Sequence, residues 1–330
     1  MMSMEETFSF LTRFLNYIFA IPMLILGMIG SILIVVVILQ KRAFRQNTSL
    51  TYLLAGAIIT GIHLPSIYIQ MILVYGFNVS LMNTNESACR EHTYLRYVTT
   101  VAAISFPCWA AFDQYVATSP HVIIRNRWGS LRTVRLVILC TVIFWILIYI
   151  PVIFNTGIIN HVCTFIPGPY TKFNTYAFIP FVYGVGPVGV ITYCTLGTVR
   201  NLRTNNVHEA HAKLTKQVRA MLVPQLIILA ISGIPFGFQS VYIELTNDLS
   251  KSALRIEIEN FCGQVILIFY HFNYVFTFYI YVYKSNEFRK VLKNKLFYWI
   301  PIRRVQPKDF NTFHSARPMK MHTIDSHEHC

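Results

Sequence analysis

The residues best equipped for chemistry lie in one stretch, Cys89 to Ser119. Cys89 supplies a thiol that can enter a disulfide. Seven positions on, Arg96 places a guanidinium among apolar neighbours, a fork of donors suited to a carboxylate. Near the far end Asp113, Gln114 and Tyr115 set one negative charge beside two further hydrogen-bonding groups. As one helix, the path from Cys89 to Gln114 is roughly 37 Å, a bilayer core plus part of its interface. Elsewhere the chain carries no HExxH, GxSxG or P-loop and no paired carboxylates in its apolar runs, so no catalytic residue, cofactor or enzymatic activity is expected. His314, His322, His327 and His329 beside Cys330 read as solvated tail residues rather than metal ligands, and no metal is expected.

The elements that must position these groups follow from composition. The 330 residues are 54% hydrophobic and 13% charged, about half the charge of a soluble domain. Uncharged runs cover Phe14–Leu39, Gln46–Asn85, Tyr97–Phe112, Leu136–Thr171, Phe173–Val199, Ala220–Ile243 and Asn260–Tyr283. Six are long enough to span a bilayer alone, and the third is once extended through Arg96 and Asp113. With the amino terminus outside, 22 of the 28 lysines and arginines fall on the cytoplasmic side, the orientation that the positive-inside rule favours. The net charge of +14 is thus sorted by membrane side, which argues against a nucleic-acid partner.

The expected fold is an all-α membrane protein: a bundle of seven transmembrane helices with its N-terminus outside and a short amphipathic helix after the last span. Residues 1–13 form the extracellular N-terminus, 14–283 the spanning domain, 284–299 the amphipathic surface helix and 300–330 a disordered cytoplasmic tail. The first span serves as an uncleaved signal anchor. Its Gly27, Gly30 and Ser31 form a packing face. Helix two, Ser49–Tyr75, holds Pro65, a kink, and His63, which either lines a cavity or bonds the freed backbone. Pro107 should bend helix three in the same way. Helix four is expected over Val134–Phe154, then an outer loop to Lys172. Helix five, Phe173–Val199, should loosen where Gly184, Gly186 and Gly189 surround Pro187. Helix six runs Lys216–Glu244, and helix seven, Glu257–Tyr283, has no proline. Asn78 and Asn85 open outward-facing glycosylation sequons, while the one at Asn47 lies inside and should be unused.

Seven spans, a cysteine opening helix three and another, Cys163, in the loop after helix four resemble the rhodopsin-like family of G-protein-coupled receptors, over about residues 14–299. Two intervals strengthen the resemblance. In the family the arginine of an Asp-Arg-Tyr motif lies 25 residues after the helix-three cysteine, and here that position is Gln114, between Asp113 and Tyr115. The tyrosine of the family's Asn-Pro-x-x-Tyr precedes a surface-helix phenylalanine by seven, as Tyr281 precedes Phe288. Departures point to divergent invertebrate orphan or chemosensory members: Thr277 and Phe278 replace Asn-Pro, Gly233 stands where tryptophan is usual, and helix two has no aspartate.

The resemblance implies a plasma-membrane receptor transducing an extracellular ligand, a peptide or a small molecule, acidic ones included, to a heterotrimeric G protein, with arrestin as a further partner at the same face. It also implies a Cys89–Cys163 disulfide, for which Cys262 is the competing thiol on the oxidising side. By helix depth and spacing the ligand cavity takes Arg96, Thr99, Thr100, Ala103, Phe236, Gln239, Tyr270 and His271. The switch and coupling residues are Asp113, Gln114, Tyr115 and Tyr281. Arg96 stands where amine receptors of the family resemble one another in carrying aspartate, so it either holds an anion, snorkels outward or pairs with Glu91. Without the arginine, the resting lock at Asp113 should weaken. A non-signalling decoy or scavenging receptor is the alternative that Gln114 favours. A transporter or channel would need polar residues through the full depth of the bilayer, and helices one, four and six offer few.

Overall fold

Apolar runs of twenty or more residues can satisfy their backbone polar groups in hydrocarbon only as helix or closed barrel, and this chain is helical almost throughout. The computed structural model describes residues 4–77, 79–204, 209–246 and 249–299. The long helices are α1 (Met4–Gln40), α2 (Thr48–Val74), α3 (Glu86–Ala117), α4 (Leu131–Phe154), α5 (Pro169–Arg203), α6 (Glu209–Leu245), α7 (Ala253–Val275 continued by Thr277–Lys284) and α8 (Asn286–Trp299). Helices α1, α2, α4, α5 and the Ala220–Leu245 part of α6 are long and apolar enough to cross a membrane, and α7 makes a sixth if its two parts, bent by 45°, are one span. Their outward side chains, such as Ile25, Ile32, Leu136, Leu139, Ile143 and Ile231, are exposed and apolar, as a lipid-facing perimeter requires.

Helix α3 is long but less apolar, and its position explains why. Val98, Thr99, Thr100, Val101, Ala102, Phe106, Ala110, Asp113 and Gln114 are all buried among other helices. A helix sheathed by protein needs partners for its polar groups, not an apolar outer face. It runs unbroken through Pro107.

Four features depart from the expected outline. Helix α1 begins at Met4 rather than Phe14: Glu5 and Glu6 occupy the first turn, where the helix dipole favours acids, and the Phe8 ring meets Phe261 edge-on at 5.7 Å. The loop expected after α4 is instead an antiparallel hairpin, β1 (Thr156–Ile159) with β2 (Val162–Phe165). Asn160 and His161 turn it at φ 50° and 59°, the doubly left-handed pair that a two-residue hairpin turn demands. In α5 the loosening comes before Pro187, as wide π-helical turns over Asn174–Phe178 and Pro180–Val185. Helix α7 bends at Phe276 without a proline, where the Thr277 hydroxyl donates to the Asn273 carbonyl at 2.5 Å and competes for the helical ladder. Asn78 and the segment 300–330, tail histidines included, lie outside the described residues.

At the α8 end Lys41 pairs with Glu287 at 2.9 Å, holding that carboxyl below the usual carboxylate range through its hydrogen bond and charge. The Phe288 ring lies 6.1 Å from those of Phe278 and Tyr281, which docks α8 on α7.

Helices α5 and α6 touch backbone to backbone at Gly184 and Gly233. A Cβ at Gly233 would sit 2.7 Å from the Tyr183 carbonyl oxygen, and one at Gly184 3.2 Å from the Gly233 oxygen. Gly233→Ala should therefore destabilise the protein by about 1–3 kcal/mol, seen as a lowered melting temperature in detergent. Gly189→Ala, where a Cβ meets nothing within 4 Å, should leave it unchanged.

Candidate functional site

A cavity of about 370 Å³ opens beneath the hairpin, among α2, α3, α5, α6 and α7. Its roof is held by three bonds. The Cys89–Cys163 disulfide joins α3 to β2 across a Cα separation of 5.7 Å, and Cys262 is free. The Cys163 amide donates to Asn83 Oδ1 at 3.0 Å, and Arg90 Nε donates to the Thr156 carbonyl at 3.1 Å. Asn85, exposed at the first turn of α3, caps that helix by accepting from the Ala88 amide at 3.1 Å.

Arg96, Thr100, Phe236, Tyr270 and His271 line the cavity. The Arg96 guanidinium lies over the Tyr97 ring at 5.5 Å and pairs with no carboxylate among the described residues, Glu91 included. Phe236 stacks on Tyr270 at 4.5 Å, and Tyr183 adds a third ring about 6 Å from each, forming an aromatic wall. The Tyr270 and Tyr274 hydroxyls are 3.2 Å apart, and Tyr274 donates to the Thr100 carbonyl at 3.4 Å. Buried His63 reaches Thr99 from α2 instead of bonding a freed carbonyl.

The other expected cavity residues are placed differently. Thr99 turns toward His63. Ala103 lies deeper, on a small void of about 20 Å³ shared with Ser31, Thr60, Thr277 and Tyr281. Gln239 lies across Gly263, where a Cβ would meet its amide nitrogen at 2.6 Å, and Ser240 lines the cavity in its stead. The wall also takes Gln264 and, from the roof, Val162. Gln264 stands out in the sequence as the polar residue two turns before His271, whereas Val162 comes from the unforeseen hairpin.

At the opposite end of α3, Asp113 is buried without a cation partner among the described residues. Its Oδ2 accepts from Thr48 Oγ1 at 2.7 Å and from Ser49 Oγ, while Gln114 Nε2 donates to the same Ser49 oxygen. The chain Gln114 to Ser49 to Asp113 ties α3 to the first turn of α2. Asn47 caps that turn by accepting from the Leu50 amide at 2.9 Å. Tyr115 faces α5: a Cβ on Gly197 would sit 2.6 Å from its ring, and Asn201 donates to its carbonyl at 3.5 Å. Buried Tyr281 donates to Gln225 Oε1 on α6 at 3.4 Å.

Ser49→Ala should remove one donor from a buried carboxylate and the acceptor of Gln114 together, lowering stability by about 1–3 kcal/mol or more. Thermal unfolding should show a larger loss than for Thr48→Ala, which keeps the Ser49 link. A scan of the sequence against protein-family models finds no match, and a search of curated proteins finds none.

Proposed function

We propose that this chain is a cell-surface receptor of the rhodopsin-like G-protein-coupled type, with α1 to α7 as seven spans and the N-terminus outside. The observation that carries the reading is the hairpin tethered by Cys89–Cys163 above a cavity holding Arg96, which has no counter-ion among the described residues. A roofed pocket of this size, with an aromatic wall beside polar groups, suits a small ligand, and a guanidinium with no carboxylate partner among the described residues favours one bearing a carboxylate. The sorting of lysine and arginine supports the orientation. Binding biases two helix arrangements, and the basic cytoplasmic face reports the change to a heterotrimeric G protein or arrestin.

A second reading, a non-signalling decoy, is favoured by one observation: Gln114, uncharged and buried, is committed to Ser49. The two readings separate in cells. A ligand library read by G-protein dissociation and arrestin recruitment should yield an activating ligand for the receptor, and ligand uptake without either response for the decoy. An N-terminal epitope tag should be reachable on intact cells; a tag reachable only after permeabilisation would overturn the orientation.

Gln114→Arg tests the coupling role. It should break the link to Ser49, place a cation beside Asp113 and change G-protein activation in a biosensor assay. Unchanged signalling would remove Gln114 from the coupling machinery.

A further inference from the structure

Two buried imidazoles, His63 on α2 and His271 on α7, lie with ring centroids 5.6 Å apart near Arg96. His63 Nδ1 faces Thr99 Oγ1 at 3.1 Å and Thr100 Oγ1 at 3.4 Å. Each hydroxyl has one hydrogen and gives it to a carbonyl of the preceding turn, Leu95 at 2.8 Å and Arg96 at 2.6 Å. In these contacts the proton is therefore on His63 Nδ1. His271 Nδ1 lies 2.7 Å from the Leu267 carbonyl, which only accepts, so its proton is on Nδ1 as well. In the neutral rings both Nε2 atoms then present lone pairs. Among the described residues neither Nε2 has a partner, and neither does Gln264 Oε1.

His271 and Gln264 face the cavity with Arg96, seven residues apart on α7 and so about two turns along one face. No carboxylate is among the described residues that line it. The cavity thus combines one unpaired cation with buried acceptors that require donors, since an unpaired buried acceptor is costly.

We propose, on the receptor reading above, that the ligand is a small acid that also carries a hydrogen-bond donor. Its carboxylate meets Arg96, its hydroxyl or N–H donates its one hydrogen to His271 Nε2 or Gln264 Oε1, and an aromatic body lies against Phe236 and Tyr270. An amine without an acid would face Arg96 directly. An acid without a donor would leave the acceptors unpaired.

The full chain, purified in detergent, would be titrated with phenyllactate, its O-methyl ether and phenylpropionate, three acids alike in body that differ at the donor. Phenyllactate should bind about tenfold tighter than the other two, one hydrogen bond's worth. Arg96→Gln should abolish binding of all three. His271→Phe, which keeps the ring contacts, or Gln264→Met should bring phenyllactate down to the level of its ether, according to which acceptor takes its hydrogen. Equal binding of the three acids to the unaltered protein, or a preference untouched by both α7 variants, would overturn the donor requirement and leave the acid-binding cavity standing. Absence of binding, or binding that survives Arg96→Gln, would overturn the cavity reading and this inference with it.

Discussion

A helix enclosed by other helices can carry polar side chains at low cost where a neighbour supplies their partners, and much of α3 is built on that condition. Cys89 is bonded to the hairpin, and the Thr99 and Thr100 hydroxyls serve both the backbone and His63. At mid-length Ser105 accepts from the Trp145 indole at 2.8 Å. At the far end the hydroxyls of α2 close around Asp113. The levels fix three neighbours, the hairpin, α2 at two depths and α4, so the register of α3 sets that of the elements around it.

The same condition marks where the fold is chemically unfinished. Near Arg96 partners are missing among the described residues: the guanidinium, itself exposed, has no carboxylate, and His271 Nε2 and Gln264 Oε1 have no donor. Buried polar groups are normally satisfied; Asn16, Gln114, Tyr149 and Asn174 carry unpaired atoms elsewhere, and the pair on His271 and Gln264 belongs to the cavity beneath the tethered roof. Asp113 is the contrasting case. It too lacks a cation, yet its carboxylate is hydrogen-bonded to two hydroxyls, and Gln114 extends the link by a further bond. Loss of the arginine leaves a tie between α2 and α3 in place of an ion pair.

Glycine and threonine take over geometry that the resemblance would assign to other residues. Gly233, where tryptophan is usual, brings α6 against the α5 backbone. Thr277, where asparagine precedes proline, accompanies the 45° bend of α7 through its hydroxyl bond to Asn273. In both places the shape is reached by a different local interaction.

By itself the sequence determined the helical class and the approximate limits of most helices, because long apolar runs admit few backbone solutions and the rise per residue converts position into distance along a helix. That is why Arg96, Tyr270 and His271 were legible as neighbours at one level. Pairings across helices were not legible, since they depend on how each helix is rotated about its axis. Thr48 and Ser49, read only as part of an unused sequon, turn out to hold Asp113, and Gln239 faces Gly263 while Ser240 takes the wall. The hairpin escaped because Asn160-His161 lacks the glycine that usually announces such a turn, and its left-handed backbone is set with the strands on either side. Tertiary packing alone decided rotation, and rotation determines which buried group finds a partner within the fold and which does not.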